Sequence, residues 1–334
     1  MKLFRYALVL LGAAALSPPL AAGNVEVVVY SSRNEHLIQP LFARFTDETG
    51  IKVRYVTDKE GPLMQRLRAE GANTPADVLL TVDAGNLWAA AEGGLLQATD
   101  SGLLRKNVPA HLRDPQNRWF GLSVRARTLV YNSATVDPAT LSGYAGLAGA
   151  EWRDRLCLRT SKKVYYQSLV AMFLAEHGEQ RTEEIVRGWV RNLAASPFSS
   201  DTEVLKAIAA GQCDVGIVNT YYLGRLLQEN PDQPLAIFWP DQDGSGVHVN
   251  VSGAGVTKHA PNPELGQRLI EWLSSASAQE MFAGLNLEYP ANPDVSVDPL
   301  VASWGEFKPN PINVSNAGRL QTAAVMLMDR AGYR

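Results

Sequence analysis

Histidine and cysteine are scarce in this chain, with five of the first and two of the second among 334 residues. His36, His111, His177, His248 and His259 are widely scattered, so no HExxH helix and no Cys/His cluster of zinc spacing can be drawn. Also missing are a GxSxG elbow, a P-loop and a GxGxxG following a strand, and with them the commonest nucleophile and phosphate cradles. No basic run accompanies the formal net charge of -3. Nucleic acid is therefore not an expected partner, and no basic amphipathic helix marks a membrane surface. Glu35 and Asp83 are left as an acid/base pair, but single carboxylates at two strand ends are common in any α/β protein. The expectation is a protein that is not an enzyme.

Long apolar runs are confined to the start, MKLFRYALVLLGAAALSPPLAAGN. It carries Lys2 and Arg5, an apolar core from Leu8 to Leu16, a Pro18-Pro19 break and the small pair Ala21-x-Gly23. This pattern predicts a signal peptide over residues 1–23 and a mature chain beginning near Asn24, exported to the periplasm. The core is shorter than the roughly 20 residues of a membrane span, so no membrane insertion is expected. No cysteine lies near the cleavage pattern to carry a lipid. In an exported chain an even cysteine count predicts pairing, here Cys157 with Cys213. Both precede apolar strand-like runs, so the bridge would tie neighbouring strands.

Hydrophobic periodicity then alternates. Val25 to Tyr30 reads as a strand, Leu37, Ile38, Leu41, Phe42 and Phe45 as a helix ending at Gly50, and Ile51 to Tyr55 as a second strand. A helix from Pro62 to Glu70, a strand from Asp77 to Thr81 and a helix from Gly85 to Glu92 complete a βαβαβ pattern. The middle of the chain repeats it, with a strand at Leu156 to Arg159, helices over 167–177, 182–193 and 203–210, and a strand ending at Asn219. Such alternation predicts α/β lobes, each a mostly parallel sheet flanked by helices. The mature length of about 310 residues favours two of them. Arg127 to Asn132 and Val249 to Val256 are the segments expected to cross between lobes as a two-strand hinge.

Open α/β sheets bind ligands beyond the carboxyl ends of their strands. Those ends collect Arg33, Glu35, His36, Asp83, Tyr165, Tyr166, Tyr221 and Tyr222. The site is rich in phenols and poor in imidazoles. Ionising a free phenol at neutral pH costs roughly 4 kcal/mol, about three pKa units at 1.36 kcal/mol each, so three phenolates would cost about 12. A small, hard, highly charged cation could supply that, and three phenolates would balance iron(III). The same rings could instead stack on a sugar or an amine, or pack beneath a helix.

Five segments in order, TPADVLLTVDAGNLW (Thr74 to Trp88), WFGLSVRARTLVYN (Trp119 to Asn132), YQSLVA (Tyr166 to Ala171), NTYYLGRLL (Asn219 to Leu227) and HVNVSGAGV (His248 to Val256), resemble the periplasmic iron(III)-binding proteins. These are bacterial transferrin-like, substrate-binding subunits of ferric ABC importers. The resemblance implies a monomeric two-lobed clamshell that holds one ferric ion and delivers it to an ABC importer permease. It implies a first lobe of residues 24–128 plus about 253–300, and a second of about 129–252 plus 301–334. Tyr221 and Tyr222 match the family's paired ligands, and Tyr165 matches a third ligand of its tyrosine-rich branch. Where many members have a histidine after the first strand, this chain has Asn34. Glu35, His36, a water or an anion would then fill the remaining position. Members often bind carbonate, phosphate or a similar small anion beside the iron, for which Arg33 and Arg125 are the candidate holders. The alternative is the same scaffold with another small cargo, a polyamine, an oxyanion or an iron chelate.

Overall fold

The computed structural model describes residues 25–334. The export signal expected over 1–23 lies outside the described residues.

The first lobe opens with β1 (Glu26–Ser31), α1 (Glu35–Thr49), β2 (Lys52–Thr57), α2 (Glu60–Glu70), β3 (Val78–Val82) and α3 (Ala84–Glu92). Helix α1 forms because Ile38, Leu41, Phe42 and Phe45 fall on one face, and it stops at Gly50, whose φ of 72° is the left-handed cap that glycine adopts freely. Strands β2, β1 and β3 are parallel neighbours in that order. A short helix α4 (Gly102–Asn107) leads to β4 (Phe120–Asn132), a strand whose 13 residues are all buried.

The second lobe holds β5 (Leu156–Cys157), α5 (Val164–Arg191), α6 (Asp201–Ala209), β6 (Val215–Asn219), α7 (Thr220–Glu229) and β7 (Leu235–Phe238). Helix α5 breaks at Gly178, where φ is 74°, in the interval that separates the two helices expected from the sequence. The chain returns through β8 (Val249–Val256), α8 (Pro263–Leu273), α9 (Ala276–Asn286), β9 (Tyr289–Pro290), α10 (Pro299–Ala302), α11 (Asn316–Arg319) and α12 (Gln321–Arg330).

The sheet is mixed: the β2-β1-β3 and β5-β6 pairings are parallel, whereas β8 and β4 join them through antiparallel pairings. Strand β4 explains this. Its first half, Phe120 to Ala126, pairs with β8, and its second half, Arg127 to Asn132, pairs with β6 and β7. One continuous strand thus serves both lobes, and it is buried along its whole length although it carries Arg125 and Arg127. Two main hydrophobic cores lie on either side, one including Val29, Phe42, Leu79 and Leu269, the other Leu129, Trp152, Leu169 and Ile217.

The chain crosses between the cores a third time after β9. The Val247 N–H donates to the Lys308 carbonyl at 2.9 Å and Asn310 N–H to that of Val247 at 2.8 Å, after which Val314 joins the first core and Ala324 the second. The hinge therefore has this strap beside the two expected strands.

Cys157 and Cys213 are bonded, with Cα atoms 5.9 Å apart, and join β5 to the turn that leads into β6. For a sequence separation of 56, loop-closure entropy assigns the bridge about 4 kcal/mol. The Cys157→Ala, Cys213→Ala double variant is expected to lose about that much stability by denaturant unfolding; an unchanged midpoint would show that the second lobe holds β5 without it.

Candidate metal site between the lobes

A cavity of about 470 Å³ lies at the strand ends between the lobes. Its far wall is phenolic. Tyr221, in the first turn of α7 and 5% exposed, donates its hydroxyl hydrogen bond to that of Tyr165, in the first turn of α5, at 3.2 Å. The Tyr222 ring lies 4.3 Å from that of Tyr221, and all three phenols line the cavity. The structure thus brings together the three tyrosines singled out from the sequence.

Two tyrosines can open helix α7 because its N-cap, Asn219, is committed elsewhere. It makes no side-chain cap bond. Its Oδ1 accepts from Arg127 Nη1 at 3.1 Å, and its Nδ2 points at the Tyr221 hydroxyl at 3.5 Å. Arg127 itself is buried, with Nη1 3.2 Å from Asp201 Oδ2 and Nη2 donating to the Ile217 carbonyl at 2.9 Å. Asp201 also accepts the Asn219 N–H at 3.0 Å, so one buried ion pair fixes the end of β6.

Burial pushes the Tyr165 hydroxyl up to about 12 despite the opposing charge of Arg125, and pushes Tyr221 well above its ordinary value, with the neighbouring phenols adding to it. Both are neutral at physiological pH in the free protein. The surroundings nevertheless favour negative charge: Arg125, Arg159 and Lys163 stand 5.6, 5.4 and 5.5 Å from the Tyr165 ring centre, and Arg225 5.0 Å from that of Tyr221.

Arg33 and Arg125 reach the cavity from the first lobe and the crossing strand. Arg33 Nη2 donates to Glu288 Oε2 at 3.0 Å and its Nη1 to Ser123 Oγ at 3.3 Å, while Arg125 Nη2 donates to the Val251 carbonyl at 2.7 Å. Burial raises the Glu288 carboxyl, but Arg33 and Arg125 outweigh it and hold it below the usual range. The Nε of Arg33, of Arg125 and of Arg159 is buried without a protein hydrogen-bond partner, which suits an anion in the cavity.

Glu35 and His36 are corrected. Both are exposed and neither lines the cavity, and Glu35 instead accepts the Tyr55 hydroxyl at 2.9 Å. Helical geometry is the reason: Asn34 and Leu37, three apart, face the cavity, which turns the two residues between them away. Asp83 is likewise elsewhere, capping α3 with a φ of 79° and bonded to Gly85 N and Asn250 Nδ2, both at 2.8 Å. Tyr166 belongs to the core, its hydroxyl on the Ile217 carbonyl at 2.9 Å and its ring edge-on to Tyr333.

Among the charged lining residues that escaped the sequence reading are Arg159, Lys163, Arg225 and Glu288, with Asp58, Lys59 and Glu60 after β2. Arg225 had a signal, since it follows Tyr221 at helical i, i+4 spacing, and Arg159 and Lys163 flank a strand end. Glu288 had none, because the chain reaches it only through Leu287, a buried residue held at φ 55°. Among the described residues no cluster of three His, Cys, Asp or Glu could hold a metal, whereas the Tyr165 and Tyr221 hydroxyls meet in the cavity with Tyr222 beside them.

The sequence profile of the bacterial extracellular solute-binding proteins matches residues 40–309. The chain belongs to this family. Among curated relatives, this solute-binding protein is 43% identical to iron uptake protein A1 of Synechocystis sp., over 92% of this chain and 88% of the relative. Among solved structures it is similar to Trichodesmium IdiA (FutA) in complex with iron and citrate ligands, at 42% identity and a TM-score of 0.89, covering 92% of this chain and all of that one. The ferric binding protein from Campylobacter jejuni is 33% identical with a TM-score of 0.85, at 92% and 100% coverage. The solute-binding protein is thus a two-lobed α/β clamshell with a mixed sheet and flanking helices.

Proposed function

We propose that the cavity captures iron(III) in the periplasm through Tyr165, Tyr221 and Tyr222, and that the protein, acting as a monomer, hands the ion to the membrane permease of an ABC importer. The observation that carries this reading is the 3.2 Å contact between two buried phenol hydroxyls with a third phenol ring 4.3 Å away. Uncharged cargo gives no reason to gather three groups that are so hard to ionise. A trivalent cation does, because each phenolate supplies one charge and one hard oxygen. The relatives named for iron uptake and ferric binding support the same cargo.

Charge also supports an anion beside the ion. Arg33, Lys59, Arg125, Arg159, Lys163 and Arg225 line the cavity against Asp58, Glu60 and Glu288, three more basic than acidic groups. Three phenolates cancel that excess and a ferric ion restores it. A carbonate, phosphate or carboxylate ligand, held by Arg33, Arg125 and Arg159 through forked donors, would offset part of it. The same lining disfavours a polyamine and makes an oxyanion or a ferric chelate the second reading.

Purified protein given ferric citrate is expected to turn coloured through a phenolate-to-iron charge-transfer band and to retain one iron per chain by metal analysis. Protein that stays colourless with ferric ion yet retains phosphate or another oxyanion would transfer the assignment to the second reading.

A further inference from the structure

The hinge and the phenols share one residue. At the crossing, the Arg127 N–H donates to the His248 carbonyl at 3.0 Å, joining β4 to the residue that opens the return through β8. The Tyr144 hydroxyl closes the same junction from the second lobe: it accepts the His248 N–H at 3.0 Å and donates to the Arg127 carbonyl. Tyr144 is fully buried and its own carbonyl is fixed by Trp189 Nε1 at 2.8 Å, so its hydroxyl position is set by the core of that lobe. The side chain of Arg127 then runs the other way, to Asp201, Asn219 and the Ile217 carbonyl, and its guanidinium lies 4.1 Å from the Tyr166 ring centre and 5.9 Å from that of Tyr165.

We propose that Arg127 is a positioning residue that ties the angle between the lobes to the placement of the phenol cluster, with the Tyr144 hydroxyl as the pin that holds its backbone. This rests on the reading of the cavity as a ferric site. Rotation of one lobe against the other has to be taken up where β4, β8 and the strap change lobe, and beside the strap's bonds to Val247 the crossing is held by those of Arg127, His248 and Tyr144. Any displacement of the Arg127 backbone is carried by a planar, five-donor side chain into Asn219, two residues before Tyr221. An opening motion thereby loosens the end of β6 without any cavity side chain being pushed directly. A lysine cannot do this, because a point charge keeps the attraction to Asp201 but loses the fork that reaches Asn219 and Ile217 together.

Two variants of the mature protein test it, Tyr144→Phe and Arg127→Lys, each loaded with ferric citrate and then mixed with excess chelator while the visible band is followed. Tyr144→Phe, which leaves every cavity side chain in place, is expected to release iron about tenfold faster with the band maximum unchanged, the effect of one net hydrogen bond. Arg127→Lys is expected to shift the band maximum as well and to release iron ten- to a hundredfold faster, in the range of changes to groups that orient metal ligands. A purely structural role would lower the melting temperature of both variants and leave band and release rate at wild-type values well below melting; that outcome overturns the proposal. Wild-type release by Tyr144→Phe alone overturns the hinge connection, and it decides the matter if Arg127→Lys does not fold. A wild-type protein that develops no band sinks the ferric reading itself, and this inference with it.

Discussion

The Tyr221→Phe protein is expected to bind ferric ion more than a hundredfold more weakly than the wild type and to show a weakened, displaced charge-transfer band. The change deletes one oxygen and nothing else, since the Tyr221 ring packs with Leu287 and Val301 and would stay in place. Two effects add. A hard anionic donor is lost, which exceeds the ten- to hundredfold typical of groups that merely orient ligands. The Tyr165 hydroxyl also loses the donor at 3.2 Å. Equilibrium competition against a chelator measures the first effect, and the band position reports the second. Tyr166→Phe is the control, because that hydroxyl bonds the Ile217 carbonyl inside the core and lies outside the cavity lining. It should lower stability by about 1 kcal/mol and leave the band where it was. If Tyr221→Phe binds ferric ion as the wild type does, phenolate ligation at this position is wrong.

Much of this arrangement is legible in the sequence, and the reason is local. A buried strand followed by a helix must release its next residues at the sheet's carboxyl edge, so NTYY after VGIV put two phenols at that edge by periodicity, while packing beneath the helix stayed open for Tyr222 and only the family resemblance chose the cleft. The same logic placed Tyr165 beyond the strand at Leu156. Opposed to these, Glu35 and His36 show where local reading ends. Being near a strand end is not enough, because a helix beginning there turns about 100° per residue, and only Asn34 and Leu37 of that turn face the cavity. The contributions of Glu288 and of the strap through Lys308 to Asn310 were out of reach for a different reason. Both depend on pairings between segments far apart in sequence, Arg33 with Glu288 and Val247 with Lys308, and no periodicity encodes such a pairing. Arg127 illustrates both sides: its place at the hinge followed from the strand pattern, but its bond to Asp201 did not.

Ferric binding is expected to release about three protons per ion, and the affinity for free ferric ion should fall about tenfold per phenolate for each unit by which pH drops, close to a thousandfold for three. The sign follows from the free protein. Burial holds Tyr165 at about 12 and Tyr221 well above its ordinary value, so near pH 7 both carry their protons until the metal displaces them. Acid favours the protonated, metal-free form, and alkali below about pH 10 favours the complex. Carboxylate ligands would behave differently, since they are already ionised above about pH 5 and would release no protons near neutrality. Titrating ferric citrate into weakly buffered protein with a pH-stat, corrected for the protons of the chelate itself, counts them directly. A count near three supports a tri-phenolate site, a count near two leaves one phenol out of the ligand set, and a count near zero excludes phenolates altogether. Since Tyr222 is the least buried of the three phenols, repeating the count on Tyr222→Phe isolates its share: the release should drop by one proton and the pH slope by one decade.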